Sequence, residues 1–285
     1  MSADRIDLPS QRLDQPPLTA WRAYTDILAK GPVSIAVLNE WRQRAEAADA
    51  LARPTFVAQT PQLLGDGLHY EQRIARGALA TREGDAHDFF NALVWLRHPQ
   101  LKWALNRRQC DDIETMGTKT RSRGQYAMTH FDEAGSIVWL SDDAVLACWD
   151  AHDWEGLFRR QGDAWGTRVA VTLFGHALLE HVAQRDLLPM GRCIAVRVDA
   201  DEIATRSDDR GVIAAWAKNE LRIADAIRNG ALLADPQQLR PLPLAGLPGW
   251  HADGNASQFF ELPCFRPARP GRVYDAIVDL CSPRT

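Results

Sequence analysis

The chain has 285 residues, of which 46% are hydrophobic and 25% charged, a balance that suits a folded protein and excludes disorder for the whole. Its 33 basic and 37 acidic side chains leave a formal charge of −4, so no global field draws in a polyanion or an anionic lipid surface. At this length one core buries roughly 75% of the surface of the unfolded chain.

Residues 1–16 are polar and run into Gln15-Pro16-Pro17, which predicts a loose N-terminal arm ahead of a globular domain over 17–285. The first residues lack the apolar stretch of a signal peptide, and no later run approaches the roughly 18 apolar residues that cross a bilayer. The five cysteines are never paired at Cys-x-x-Cys spacing, which argues against zinc ribbons and thioredoxin chemistry. A soluble protein of the reducing cytoplasm, without membrane contact, is the expectation.

Residues 21–28 and 34–47 carry apolar side chains at helical spacing, with Ile35, Leu38, Trp41 and Ala45 on one stripe. A short β-prone run, Thr55-Phe56-Val57-Ala58, follows Pro54, and Gly65-Asp66-Gly67 marks a turn. Asp85 is placed to cap a helix whose run from Phe89 to Leu96 is apolar nearly all round, predicting burial. His98-Pro99 breaks it, and a shorter helix is expected over 101–109. The alternation of residues 126–131, then Asp132-Glu133-Ala134-Gly135, then Ile137-Val138-Trp139-Leu140 predicts a β-hairpin with Asp132 in its turn. Strands are expected over 168–174 and 193–198, a helix directly after Gly175, and a long helix over 210–229 ending at Gly230. The Pro241–Trp250 stretch reads as extended chain packed on the surface. Together these predict an α+β (or α/β) fold, a small mixed sheet with a β-hairpin covered by several helices.

The stretches Tyr70-Glu71, His87-Asp88-Phe89-Phe90-Asn91, Phe131-Asp132-Glu133-Ala134-Gly135, Phe174-Gly175-His176-Ala177-Leu178-Leu179-Glu180 and Pro243-Leu244-Ala245-Gly246-Leu247-Pro248-Gly249-Trp250 resemble the bacterial family catalogued as domain of unknown function 3025. The likeness runs from about residue 54 to about residue 267. What it implies is a bacterial protein of unassigned activity, with no established catalytic residues to carry over.

Chemistry is therefore sought in polar groups placed among apolar ones. His87 and Asn91 are four apart on one helical face, with Asp88 beside them, and His87 is a candidate metal ligand or general base. His176 and Glu180 are likewise four apart and follow a buried strand, where ligand sites collect in sheet-and-helix folds. Asp132 becomes a further metal ligand if its turn reaches that helix. The competing explanation makes the acids caps or turn residues and puts the helix faces in water. Lys102, Asn106, Arg121 and Arg123 lie in a basic segment that suits a phosphorylated substrate, or equally a solvated face. No Walker loop, dinucleotide glycine fingerprint or Gly-x-Ser-x-Gly elbow is present, so no nucleotide cofactor is expected.

The leading reading is a metal-assisted hydrolase of an unidentified small molecule, with one divalent ion (zinc, manganese or iron) on His176, Glu180, His87 and Asp132, and His87, Asp88, Asn91, His176 and Glu180 doing the chemistry. The alternative is a non-catalytic binding or adaptor protein that meets a protein partner at Pro243–Trp250. A third is a metal-dependent nuclease or phosphate-binding protein, although the net charge disfavours nucleic acid.

Overall fold

The computed structural model describes residues 17–184, 188–205 and 211–281. The expected N-terminal arm lies outside them. The fold is α+β. Helix α1 (Ile35–Asp49), capped by the Ser34 hydroxyl, leads to strand β1 (Thr55–Ala58). Helix α2 (Tyr70–Ala75) follows, and then strand β2 (Ala78–Thr81), which pairs with β1 in a parallel two-stranded sheet. Asp85 accepts the Asp88 backbone N–H, as its position predicts, and opens α3 (Ala86–Arg97). Seven of the side chains on this helix are buried, from Phe89 to Leu96. Pro99 occupies the first turn of α4 (Pro99–Met116), which runs on past residue 109 and ends at Gly117.

The predicted hairpin is not formed. Residues 126–131 belong instead to helix α5 (Arg123–Ala134), which runs straight into strand β3 (Gly135–Leu140). A reciprocal cap decides this: Ser122 Oγ accepts from Gln125 N, and Gln125 Oε1 accepts from Ser122 N. Helix also buries Ala127, Met128 and Phe131 on one side, which alternation in a strand would split between two faces. Asp132 and Glu133 consequently lie in the last turn of a helix, not in a hairpin turn.

Beyond α6 (Asp143–Asp150) come strand β4 (Val169–Leu173), helix α7 (His176–Ala183), strand β5 (Met190–Arg197) and helix α8 (Gly211–Arg228). Strands β6 (Arg240–Pro243) and β7 (Val278–Asp279) complete the main sheet, whose order is β4-β3-β5-β6 with β7 on the second half of β5. The β3–β5 and β5–β7 pairs are parallel, and β3–β4 and β5–β6 antiparallel. Every residue of β3 is buried, so the centre of the sheet is covered on both faces. A single cluster of buried apolar side chains extends from Leu18 to Leu280.

The Pro241–Trp250 stretch also departs from expectation. It is an edge strand and a tight turn, with Leu242, Leu244, Leu247 and Trp250 in the core rather than on the surface. Apolar side chains every two or three residues give this segment more to gain from burial than extended surface chain allows. Among the described residues, no helix is long and apolar enough to cross a membrane.

Candidate functional site

Three elements meet at one point: the start of α3, the end of α5 and the start of α7. Gly175 makes the meeting possible. Its N–H donates to Gly135 O at 2.8 Å, and the Phe174 N–H donates to the same oxygen at 3.0 Å, so the start of α7 is tied to the α5–β3 junction. A Cβ on Gly175 would lie 2.3 Å from Gly135 N and 2.5 Å from Glu133 O, backbone atoms that cannot yield. Phe131 and Phe174 stack beside this crossing with ring centroids 4.7 Å apart. The next residue, His176, therefore arrives against the last turn of α5.

The imidazoles of His87 and His176 face each other, Nε2 to Nε2, at 3.1 Å. Glu133 Oε2 is 3.4 Å from His176 Nε2. One ligand atom from each of His87, Glu133 and His176 lies within 4.8 Å of the other two, a grouping able to hold a metal ion. Ligands about 2.0–2.1 Å from a tetrahedral ion lie roughly 3.3 Å from one another, and the two shorter separations bracket that value. The far side of each ring faces a carboxylate: His87 Nδ1 is 3.7 Å from Glu180 Oε2, and His176 Nδ1 is 3.9 Å from Asp132 Oδ2. At these separations the carboxylates act on the rings through charge and accept no hydrogen bond from them. Burial pushes His176 down to about 4, so its ring is neutral at pH 7 and ready to bind a cation.

Behind this trio lies a polar network. Lys102 is buried and donates to Asp132 Oδ1 at 2.6 Å and to Asn91 Oδ1 at 3.0 Å, while its ammonium lies over the Trp95 ring. Asn91 Nδ2 donates in turn to the Tyr70 hydroxyl at 3.1 Å. Burial opposes the charge on Asp132, but Lys102 and the two imidazoles outweigh it and hold the carboxyl below its ordinary range. Burial raises Glu133, with His87 opposing. Asp88 is held low by Arg82, which grips it through Nε at 3.0 Å and Nη2 at 2.8 Å against the cost of burial.

The trio opens into a cavity of about 470 Å³, the size of a small-molecule site. His87, Asp88, Asn91, Arg121, Asp132, Glu133 and His176 all line it. Of the other residues singled out from sequence, Glu180, expected to ligate beside His176, lies outside the cavity and outside the ligand grouping, with its carboxylate 3.7 Å from His87 Nδ1, and Lys102 sits behind the cavity wall. Asn106 is buried and donates to Glu71 Oε2 at 2.7 Å. Arg123 is exposed, ion-paired with Asp235, and does not line the cavity.

Two acids escaped the sequence reading. Glu133 was visible, but a hairpin turn gave it no reason to meet His176. Glu71 lines the cavity, and burial raises it to about 7 despite the Asn106 hydrogen bond. Nothing in the spacing of α2 marks it, because burial by α4 is a tertiary effect.

The profile of the family described as "Protein of unknown function (DUF3025)" matches residues 54–269, a span that contains every residue of the trio and its network. No curated protein and no solved structure matches the chain.

Proposed function

The chain belongs to the DUF3025 family, and we propose from the geometry of its site that it is a metal-assisted hydrolase acting on a small molecule. The observation that carries this reading is the convergence of two imidazole Nε2 atoms and one carboxylate oxygen, each imidazole backed by a second carboxylate. His87, His176 and Glu133 would hold one divalent ion and leave a position open to the cavity, the pattern of catalytic rather than structural zinc. Such an ion polarises the scissile group and activates water for attack. Glu180 and Asp132 then act on the two rings through charge, and Lys102 keeps Asp132 ionised. Glu71, with its carboxyl raised to about 7, suits proton transfer at neutral pH.

The binding-protein alternative drew on an apolar Pro243–Trp250 surface. Leu244, Leu247 and Trp250 of that segment are buried, so no specific observation favours it.

The test is a hydrolytic screen of zinc- and manganese-loaded protein over ester, amide and phosphoester model compounds. The reading predicts turnover that chelation removes and added metal restores. Hydrolysis that persists unchanged in chelated protein, or in Glu133→Gln, contradicts it.

A further inference from the structure

The charges around the cavity are unequally partnered. Asp88 is held by Arg82, Asp132 by Lys102, and Glu133 belongs to the trio. Burial keeps Glu71 from ionising fully at neutral pH. Arg121 is different. It lines the cavity and makes no ion pair with a carboxylate among the described residues. Its guanidinium is nevertheless held in place: Nη2 donates to Thr129 Oγ1 and to Gln125 O, and the group lies 5.0 Å from the centroid of the Tyr126 ring. Both of those bonds use Nη2. The N–H donors of Nε and Nη1 make no hydrogen bond among the described residues, so each can be given singly to an oxyanion, although both two-point edges of the group include the occupied Nη2. Thr118 and Thr120 also line the cavity and carry hydroxyl donors.

We propose that Arg121, with Thr118 and Thr120, forms a subsite that holds the carboxylate or phosphate group of a small substrate whose scissile bond reaches the His87–Glu133–His176 trio. The clause about the scissile bond rests on the hydrolase reading; the anion subsite itself does not. A divalent ion held by Glu133 and the two neutral rings would leave net positive charge in the cavity, so the loaded cavity attracts an anion more strongly than the empty one. A small molecule fits better than a polynucleotide. Of the cations in the 119–123 segment, only Arg121 reaches the cavity, whereas Arg123 is tied to Asp235. A nucleic-acid groove needs several cations in a row.

The experiment is calorimetric titration of the full chain with inorganic phosphate and, separately, with acetate, comparing wild type, Arg121→Gln and Arg123→Gln. Each protein is measured both zinc-loaded and chelated, with metal content determined on the same samples. The subsite predicts that the tighter of the two anions loses about tenfold or more in affinity in Arg121→Gln and nothing in Arg123→Gln, whether or not metal is bound. Phosphate tighter than acetate assigns a tetrahedral group, and the reverse a planar carboxylate. Equal affinity of wild type and Arg121→Gln, or no binding of either anion at millimolar concentration, overturns the proposal. Failure to bind zinc would sink the hydrolase reading without touching this result, because the chelated samples test Arg121 by themselves.

Discussion

Glu71 and Lys102 both carry charge where burial penalises it, and their environments answer in opposite ways. Lys102 has Asp132 and Asn91 as partners, whereas the carboxyl of Glu71 has an amide hydrogen bond and no counter-ion within salt-bridge distance among the described residues. Its ionisation is displaced from 4.5 to about 7. Below pH 4.5 the group is protonated in both the folded and the unfolded chain and has no effect on their balance. Between 4.5 and about 7 the unfolded chain ionises first, so stability falls as pH rises. Above 7 the penalty is complete, on the order of 3 kcal/mol. Glu71→Gln, which keeps an acceptor for Asn106, should therefore raise the melting temperature at pH 8 and leave it unchanged at pH 4.5. Equal effects at both pH values would show that Glu71 is not held protonated. Lys102→Met does the reverse: it leaves Asp132 charged beside apolar surface and should cost about 2–3 kcal/mol, part of which Asp132→Asn restores in the double variant. At this scale the sequence was informative wherever two polar residues shared a helical face. Spacing four singled out His87, Asn91, His176 and Glu180, but the partners differ: Asn91 bonds Lys102 and Tyr70, and Glu180 lies beside His87. Glu71 was not, since its burial depends on α4 packing over α2.

At the scale of elements, the site depends on how closely α7 starts against the end of α5. Only a residue without a side chain fits at 175, where an added Cβ would meet the backbone of Glu133, Ala134 and Gly135 at 2.3–2.6 Å. Gly175→Ala must push the start of α7 away, separating His176 from Glu133. We expect a loss of about 3 kcal/mol or more in chemical denaturation, together with weaker metal binding. Wild-type stability in this variant would mean that the crossing is looser than its geometry indicates. The strand-then-helix order around Gly175 was readable from the chain, but the misread element lies opposite it. Residues 126–131 alternate in a way that suits a strand, and the Ser122–Gln125 cap that commits them to helix is a two-residue signal four positions upstream. Once α5 is a helix, Asp132 and Glu133 face different partners in its last turn. Asp132 lies 3.9 Å from His176 Nδ1, and Glu133 lies 3.4 Å from its Nε2.

Across the whole molecule, the trio joins parts of the chain that are distant in sequence: His87 on α3, Glu133 on α5 and His176 on α7. Residue spacing could nominate each of the two histidines, but only the fold brings them to 3.1 Å. The general class, a small mixed sheet under helices, followed from the strand patterns at 168–174 and 193–198 and the helix patterns at 85–98 and 210–229, although the 126–140 hairpin counted with them is half helix. The buried course of the Pro241–Trp250 stretch did not, because an apolar proline-rich segment gives no sign of which surface will receive it. A metal bound to the folded chain and not to the unfolded one must also stabilise the whole structure, so chelation should lower the melting temperature and added zinc should restore it. The most direct test of the account is the metal content of protein purified without chelator, compared among wild type, Glu133→Gln and Glu180→Gln. The account predicts close to one divalent ion per chain in wild type, its loss in Glu133→Gln, and its retention with about 10–100-fold weaker affinity in Glu180→Gln. A wild-type protein without metal, or a Glu133→Gln protein that keeps it, would contradict the account and leave His87 and His176 as a hydrogen-bonded structural pair.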